Sequence, residues 1–142
     1  MARIEESVEV HAPLPAVYEQ WTRYEEFPEF MRGVVSVERT GPGATHWVID
    51  AVGVRREFEA RTVEAVPRER VAWESVAGDL RQAGVVTFHR IDEGTTRLMV
   101  QLELEPPGLL ERLVEALGFV DRRVIDDLRD FKDHVESERR AA

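Results

Sequence analysis

The chain has 142 residues, no cysteine, and 28 acidic against 19 basic side chains, a formal net charge of −9. That length suits one domain, 1–142, burying roughly two-thirds of its unfolded surface without staples, and the missing cysteines exclude disulfides, Cys-ligated zinc and thiol catalysis. The acidic balance excludes the basic stripe of a nucleic-acid binder and opposes an anionic membrane, no apolar run approaches the roughly 18 residues of a membrane span, and with no leader-like segment in "MARIEESVEV" the expected setting is the cytoplasm.

"RIEESVEVH" (3–11) alternates Ile4, Glu6, Val8 and Val10 against Glu5, Ser7 and Glu9, the period of a strand. "APLP" stops it, and Pro15 suits a helix start, so residues 15–23 are predicted as a short helix. Within "VYEQWTRYEEFPEFM", Tyr18, Trp21, Tyr24, Phe27 and Phe30 recur every third residue. On a straight helix such steps drift by about 240° over five rings, so they cannot form one stripe. The spacing instead predicts a break hinged between Thr22 and Glu26, then a second short helix with Pro28 in its first turn. Two helices at an angle aim Trp21, Phe27 and Phe30 at a common point and leave Tyr18 and Tyr24 nearer the rim.

From Gly33 to Glu105 the grammar is β. "VVSVERT", "THWVIDAVG", "VRREFEARTVEAV", "RVAWESV", "AGVVTFHRI" and "TTRLMVQLELE" are strand-length runs separated by Gly-, Pro- and Asp-containing turns. Leu98, Val100, Leu102 and Leu104 oppose Arg97, Gln101 and Glu103, so the predicted antiparallel meander has one dry face. Residues 107–137 are predicted as one long helix. Leu110, Leu113, Leu117, Val120, Val124, Leu128, Phe131 and Val135 form its apolar stripe. Gly118 inside that stripe disfavours the helix by about 1 kcal/mol relative to alanine and marks a close neighbour or a bend.

The order predicts an α+β fold: a curved antiparallel sheet of about seven strands wrapped around a long C-terminal helix, with two short helices plugging one end. Sheet and helix so arranged stand too far apart for side chains to fill, which leaves a cavity. Strand parity gives its wall. Trp47, Phe58, Thr62, Trp73, Ser75, Phe88 and Val100 face inward from the sheet, and Trp21, Phe27 and Phe30 from the corner. The long helix adds Leu113, Leu117 and Val120. All three tryptophans fall on this wall, where an apolar body with one N–H donor suits a partly wet pocket. The bland alternative is that the same residues fill a solid core.

Chemistry-bearing motifs are few. His46 and His89 take the outward parity, and His11 ends a strand. Asp126, Asp130, His134 and Glu138 recur every four residues, a spacing that can share a metal. They equally describe a solvated helix face on which Arg123, Arg129 and Lys132 pair with the acids. The second description is the expected one, with no metal and no cofactor. No nucleophile elbow, P-loop or dinucleotide fingerprint occurs. Thr62 and Ser75 are the only polar residues expected to face inward.

That element order, with Val10, Pro13, Val17 and Trp21 followed by "FPEFM" and a strand, resembles the START-like superfamily, also called helix-grip or Bet v 1-like. Within it, "AGVVTFHRIDEGTTRLMVQLELEPPG" and the helix from Val120 to Phe131 look like the bacterial polyketide cyclase/dehydrase and ubiquinone-binding-protein branch. The resemblance implies an apolar pocket between sheet and last helix that carries a lipid, quinone or polyketide-like molecule. It equally admits a cofactor-independent polyketide cyclase or aromatase acting on a chain held by an acyl carrier protein, for which Arg81, on a turn into an inner strand, is the candidate catalytic residue. A third expectation is a protein-interaction module with a filled core.

Overall fold

In the computed structural model, residues 2–51, 54–78, 81–105 and 110–141 are described, with side chains over 3–50, 55–78, 81–104 and 120–139. Strand β1 (Ala2–Val10) follows the sequence alternation: Ile4 and Val10 are buried while Glu5, Ser7 and Glu9 are exposed. Glu6 interrupts the inner parity. Its carboxyl is raised in pKa by a hydrogen bond to Asp121, with burial and the like charge adding to the effect.

Helix α1 (Leu14–Thr22) begins at an extended Pro13, with a second proline in its first turn, and buries Val17, Gln20 and Trp21. It ends at Arg23, whose φ of −87° and ψ of 64° leave the helical region. A 3₁₀ turn over Tyr24–Glu26 then feeds α2 (Phe27–Phe30), with Pro28 in its first turn. The three-residue ring spacing is thus resolved by a hinge between two helices.

Six strands follow: β2 (Val34–Gly41), β3 (Ala44–Ala51), β4 (Val54–Val66), β5 (Arg70–Gly78), β6 (Arg81–Asp92) and β7 (Thr95–Glu105). All pair antiparallel in one seven-stranded sheet of order β1-β7-β6-β5-β4-β3-β2. Register shifts interrupt β2 after Val34 and Arg39 and β4 after Glu59 and Thr62. Such irregularities add local twist and bend, which curves the sheet toward its dry face.

Across that face runs α3 (Leu110–Ala141), 32 residues and about 48 Å at 1.5 Å per residue. Residues 107–109 of the predicted helix lie outside the described residues, and the helix ends four residues later than its stripe alone predicted. Leu128, Phe131 and Val135 are buried, and Val120 and Val124 are half-buried. The side chains of Leu113, Leu117 and Gly118 lie outside the described residues. Among the described residues, no helix is long and apolar enough to cross a membrane.

The buried residues divide into two clusters. The larger joins α1, α2 and the sheet to α3 through Val17, Trp21, Phe27, Val86, Leu98 and Phe131. The smaller gathers Ile4, Leu102 and Leu104 against Trp73, Val120 and Val124. Aromatic contacts concentrate at the corner end, where Trp21 meets Phe27 and Phe131, each at 5.3 Å between ring centroids and edge to face.

Candidate functional site

Between the two clusters the interior is open. A cavity of about 220 Å³ lies between the inner sheet face, the α1–α2 corner and α3. An apolar cavity of about 150 Å³ is enough for benzene, so this one has room for a molecule of one or two rings. The void also corrects the filled-core expectation.

Of the residues expected on its wall, Trp21, Phe27, Trp47, Phe58, Thr62, Trp73, Val100 and Val120 line it. Three others do not. Phe30 packs beside the cavity against Phe27 and Phe131, stacked on His134 with ring centroids 4.0 Å apart. Phe88 faces inward but lies at the solid end, beneath Tyr18 at 5.3 Å. Ser75 sits where the β5–β6 ladder has stopped at Glu74–Ala83, and its Oγ accepts the Gln82 N–H at 2.9 Å. The serine closes a seam in the sheet. Arg81 is exposed and is not part of the cavity wall.

Several wall residues were not expected. Tyr24, predicted nearer the rim, lines the cavity and packs against Phe27 and Trp47. Burial pushes its phenol up to about 12, against a partial pull down from Arg39, whose guanidinium lies 5.4 Å from the ring centroid. Thr45 accepts the Trp47 indole N–H at 2.8 Å, so that tryptophan is satisfied within the wall. Gln82 also reaches the cavity.

The chief omission is on α3. Arg123 and Asp127, one turn apart, both line the cavity, with Arg123 Nε 3.4 Å from Asp127 Oδ1. Both atoms are buried, and neither completes a hydrogen bond. Burial raises the Asp127 carboxyl to about 6 and neighbouring Asp130 and Asp126 add to that; Arg123 and the Gly33 N–H oppose it. Gly33 is shaped for this pair: a Cβ there would stand 2.6 Å from Arg123 Nε. The pair thus lies against bare backbone.

The helix acids flagged for a metal are engaged otherwise. Asp130 receives Arg32 at 3.2 Å, and His134 faces Glu138 at 3.2 Å. Among the described residues, no group of three or more metal-competent side chains stands together. On the outer sheet face His46 lies between Glu57 and Glu59, whose hydrogen bonds raise its pKa.

Gly84 sets the depth of the cavity floor. It stands opposite Trp73 in the ladder, and a Cβ there would lie 2.6 Å from the indole Cζ2. An indole cannot flex away from such a contact; it must swing as a unit. Gly84→Ala is expected to cost about 1–3 kcal/mol through overpacking and to shift the tryptophan near-ultraviolet circular dichroism. An unchanged spectrum and midpoint would show that Trp73 is not fixed by the missing side chain.

An antiparallel sheet of seven strands that grips one long helix across an internal cavity defines a START-like, helix-grip protein. Residues 10–133 match the family described as "Polyketide cyclase / dehydrase and lipid transport", and the chain belongs to that family. A Streptomyces lincolnensis protein, described as an uncharacterized 17.2 kDa protein, is 46% identical over 136 residues, covering 96% of this chain and 91% of its own. Among solved structures, a START superfamily protein from Mycobacterium smegmatis aligns with a TM-score of 0.81 at 14% identity, over 95% of this chain and 97% of its own. The Zhui aromatase/cyclase from a Streptomyces species aligns with a TM-score of 0.84 at 17% identity, over 95% and 93%. At these identities the structural likeness carries the fold alone.

Proposed function

We propose that the protein binds a small lipophilic molecule in the cavity between sheet and α3. The observation that carries this reading is the wall itself: six aromatic rings, among them all three tryptophans, around about 220 Å³ of space. Apolar side chains that gain nothing from one another across a void gain contact and exclude water when a ligand enters. Few polar groups interrupt that wall, as expected of a pocket selective for shape and apolar area.

A cofactor-independent cyclase acting on a carrier-bound polyketide is the second reading. Asp127 favours it, because a cavity carboxyl with a pKa of about 6 is suited to proton transfer near neutral pH. On this reading the chemistry belongs to Asp127 rather than to Arg81, which stands off the wall.

Titration with naphthalene, followed through intrinsic tryptophan fluorescence, tests the binding reading. Saturable quenching with one molecule bound per chain is the expected result. A linear, non-saturating response would remove ligand binding from the cavity.

A further inference from the structure

We propose that Gln82 reads the polar end of the ligand, selecting a lipophilic molecule that carries an uncharged carboxamide over one that carries a ketone or no polar group. This rests on the reading that the cavity holds a ligand, and it names the chemistry of that ligand's polar end.

Gln82 shares its face of β6 with buried Val86 and Phe88, so its side chain takes the concave side, where it is half-buried and lines the cavity. The fold leaves room beside it. Past the Glu74–Ala83 pair, β5 leaves β6 and closes on β4 instead, with Gly78 opposite Phe58. Gly78, at a φ of 114°, lies so close to β4 that a Cβ would stand 2.4 Å from the Glu57 carbonyl oxygen. Glycine alone permits that approach. The β5 neighbour of Gln82 is then Ser75, whose short side chain accepts the Gln82 backbone N–H at 2.9 Å. The strand is pinned there, and among the described residues no partner engages the side-chain amide. Two residues along β6, about 7 Å away, the Trp73 indole lies across Gly84. A ring surface and an amide thus stand next to each other.

The amide is also within reach. Among the described residues, the sealed and unpartnered side-chain atoms belong to Gln20, Arg123, Asp127 and His134, and none to Gln82. Of the other polar wall groups, the Thr45 hydroxyl is engaged by Trp47 and the Arg61 guanidinium by Glu74. Thr62 and Tyr24 contribute single hydroxyls elsewhere, on β4 beyond Trp73 and on the corner. A glutamine amide offers a donor and an acceptor side by side. A carboxamide presents the complementary acceptor and donor at the same spacing, so the two groups join through a pair of parallel N–H···O bonds. A ketone accepts a proton but offers none, which leaves the Gln82 carbonyl unmet. A hydrocarbon leaves both groups unmet, and buried polar groups without partners are costly.

The test compares three ligands of one ring system by calorimetry at pH 7.5: 2-naphthamide, 2-acetonaphthone and naphthalene. The first two have nearly the same shape and differ in an NH₂ against a methyl group. Wild type is expected to bind the amide more tightly than the ketone. Gln82→Met keeps the length of the side chain and removes its amide. It is expected to keep naphthalene binding while the ratio of amide to ketone affinity falls about tenfold, the worth of one hydrogen bond and of the carbonyl it satisfies. Because the ratio is compared between two proteins, the different hydration of the two free ligands cancels. The selectivity is overturned if wild type binds the ketone as tightly as the amide, a comparison that needs no variant. It is overturned equally if Gln82→Met retains the wild-type ratio. Failure of all three ligands to bind would sink the cavity reading itself and this proposal with it; a naphthalene-binding protein indifferent to the amide would sink the proposal alone.

Discussion

Truncation of Phe131 to alanine is expected to destabilise the protein by about 3–5 kcal/mol, the range for removing a fully enclosed phenylalanine. Its ring is fully buried, edge to face with Trp21 at 5.3 Å and tilted against Phe30 at 6.2 Å. Trp21 belongs to α1, Phe30 to α2 and Phe131 to α3, so one ring links the last helix to both arms of the corner. The missing volume would not close easily. Leu128 and Trp21 already border the cavity, and the new void would join it. The cost depends on how well a site collapses, and a site beside existing empty space has little to collapse onto. Urea unfolding of wild type and Phe131→Ala, with comparison of midpoints and slopes, measures the loss. A cost below about 1 kcal/mol, far under the range for buried phenylalanine, would mean that the corner and α3 are not joined through this ring.

The same contact explains what the sequence revealed and what it withheld. Strand alternation located all seven strands to within a few residues, because a one-sided sheet writes its dry face into every second position. The inability of a three-residue ring spacing to form a stripe located the hinge near Arg23. Parity, however, gives a face and not a depth. Phe88 and Ser75 have the inward parity, yet one lies past the cavity under Tyr18 and the other at a seam where the ladder has ended. Phe30 and Tyr24 exchanged their expected roles, since the aim of a ring on a one-turn helix depends on a corner angle that composition does not encode. Arg123 and Asp127 were harder still. At a spacing of four, a cation and an acid on a helix look like any solvated surface pair. Their burial arises from Gly33, about 90 residues earlier in the chain, which lets α3 approach closely enough for Arg123 to lie on backbone. A lone glycine between a short helix and a strand reads as a turn. Only the fold reveals it as a seat.

Replacement of Asp127 by asparagine is expected to stabilise the protein at pH 8 and to give no gain at pH 4. In the folded chain the carboxyl titrates at about 6, against 3.8 for the free group. Between those values the native state holds more protons than the unfolded chain, so stability falls as pH rises. The contribution is fully present below 3.8 and is lost as pH passes through about 6. A displacement of that size corresponds to about 3 kcal/mol. Part of that figure is screened, because the Asp127 side chain keeps 24% exposure. Asparagine has nearly the same shape, still accepts from the Gly33 N–H, and carries no charge to bury. It forfeits the attraction of Arg123, which Asp126 at 3.9 Å retains in part. The net gain at pH 8 is therefore expected to be about 1–2 kcal/mol, less than the full cost of burying the charge. Glu6 and His46 also carry raised pKa values and Glu136 a lowered one, but each titrates alike in both proteins and drops out of the difference. Midpoint differences between wild type and Asp127→Asn across pH 4–8 isolate the buried carboxyl. A difference that stays flat across this range would show that Asp127 titrates as an ordinary surface acid, and the second reading of the site would then lose its proton carrier.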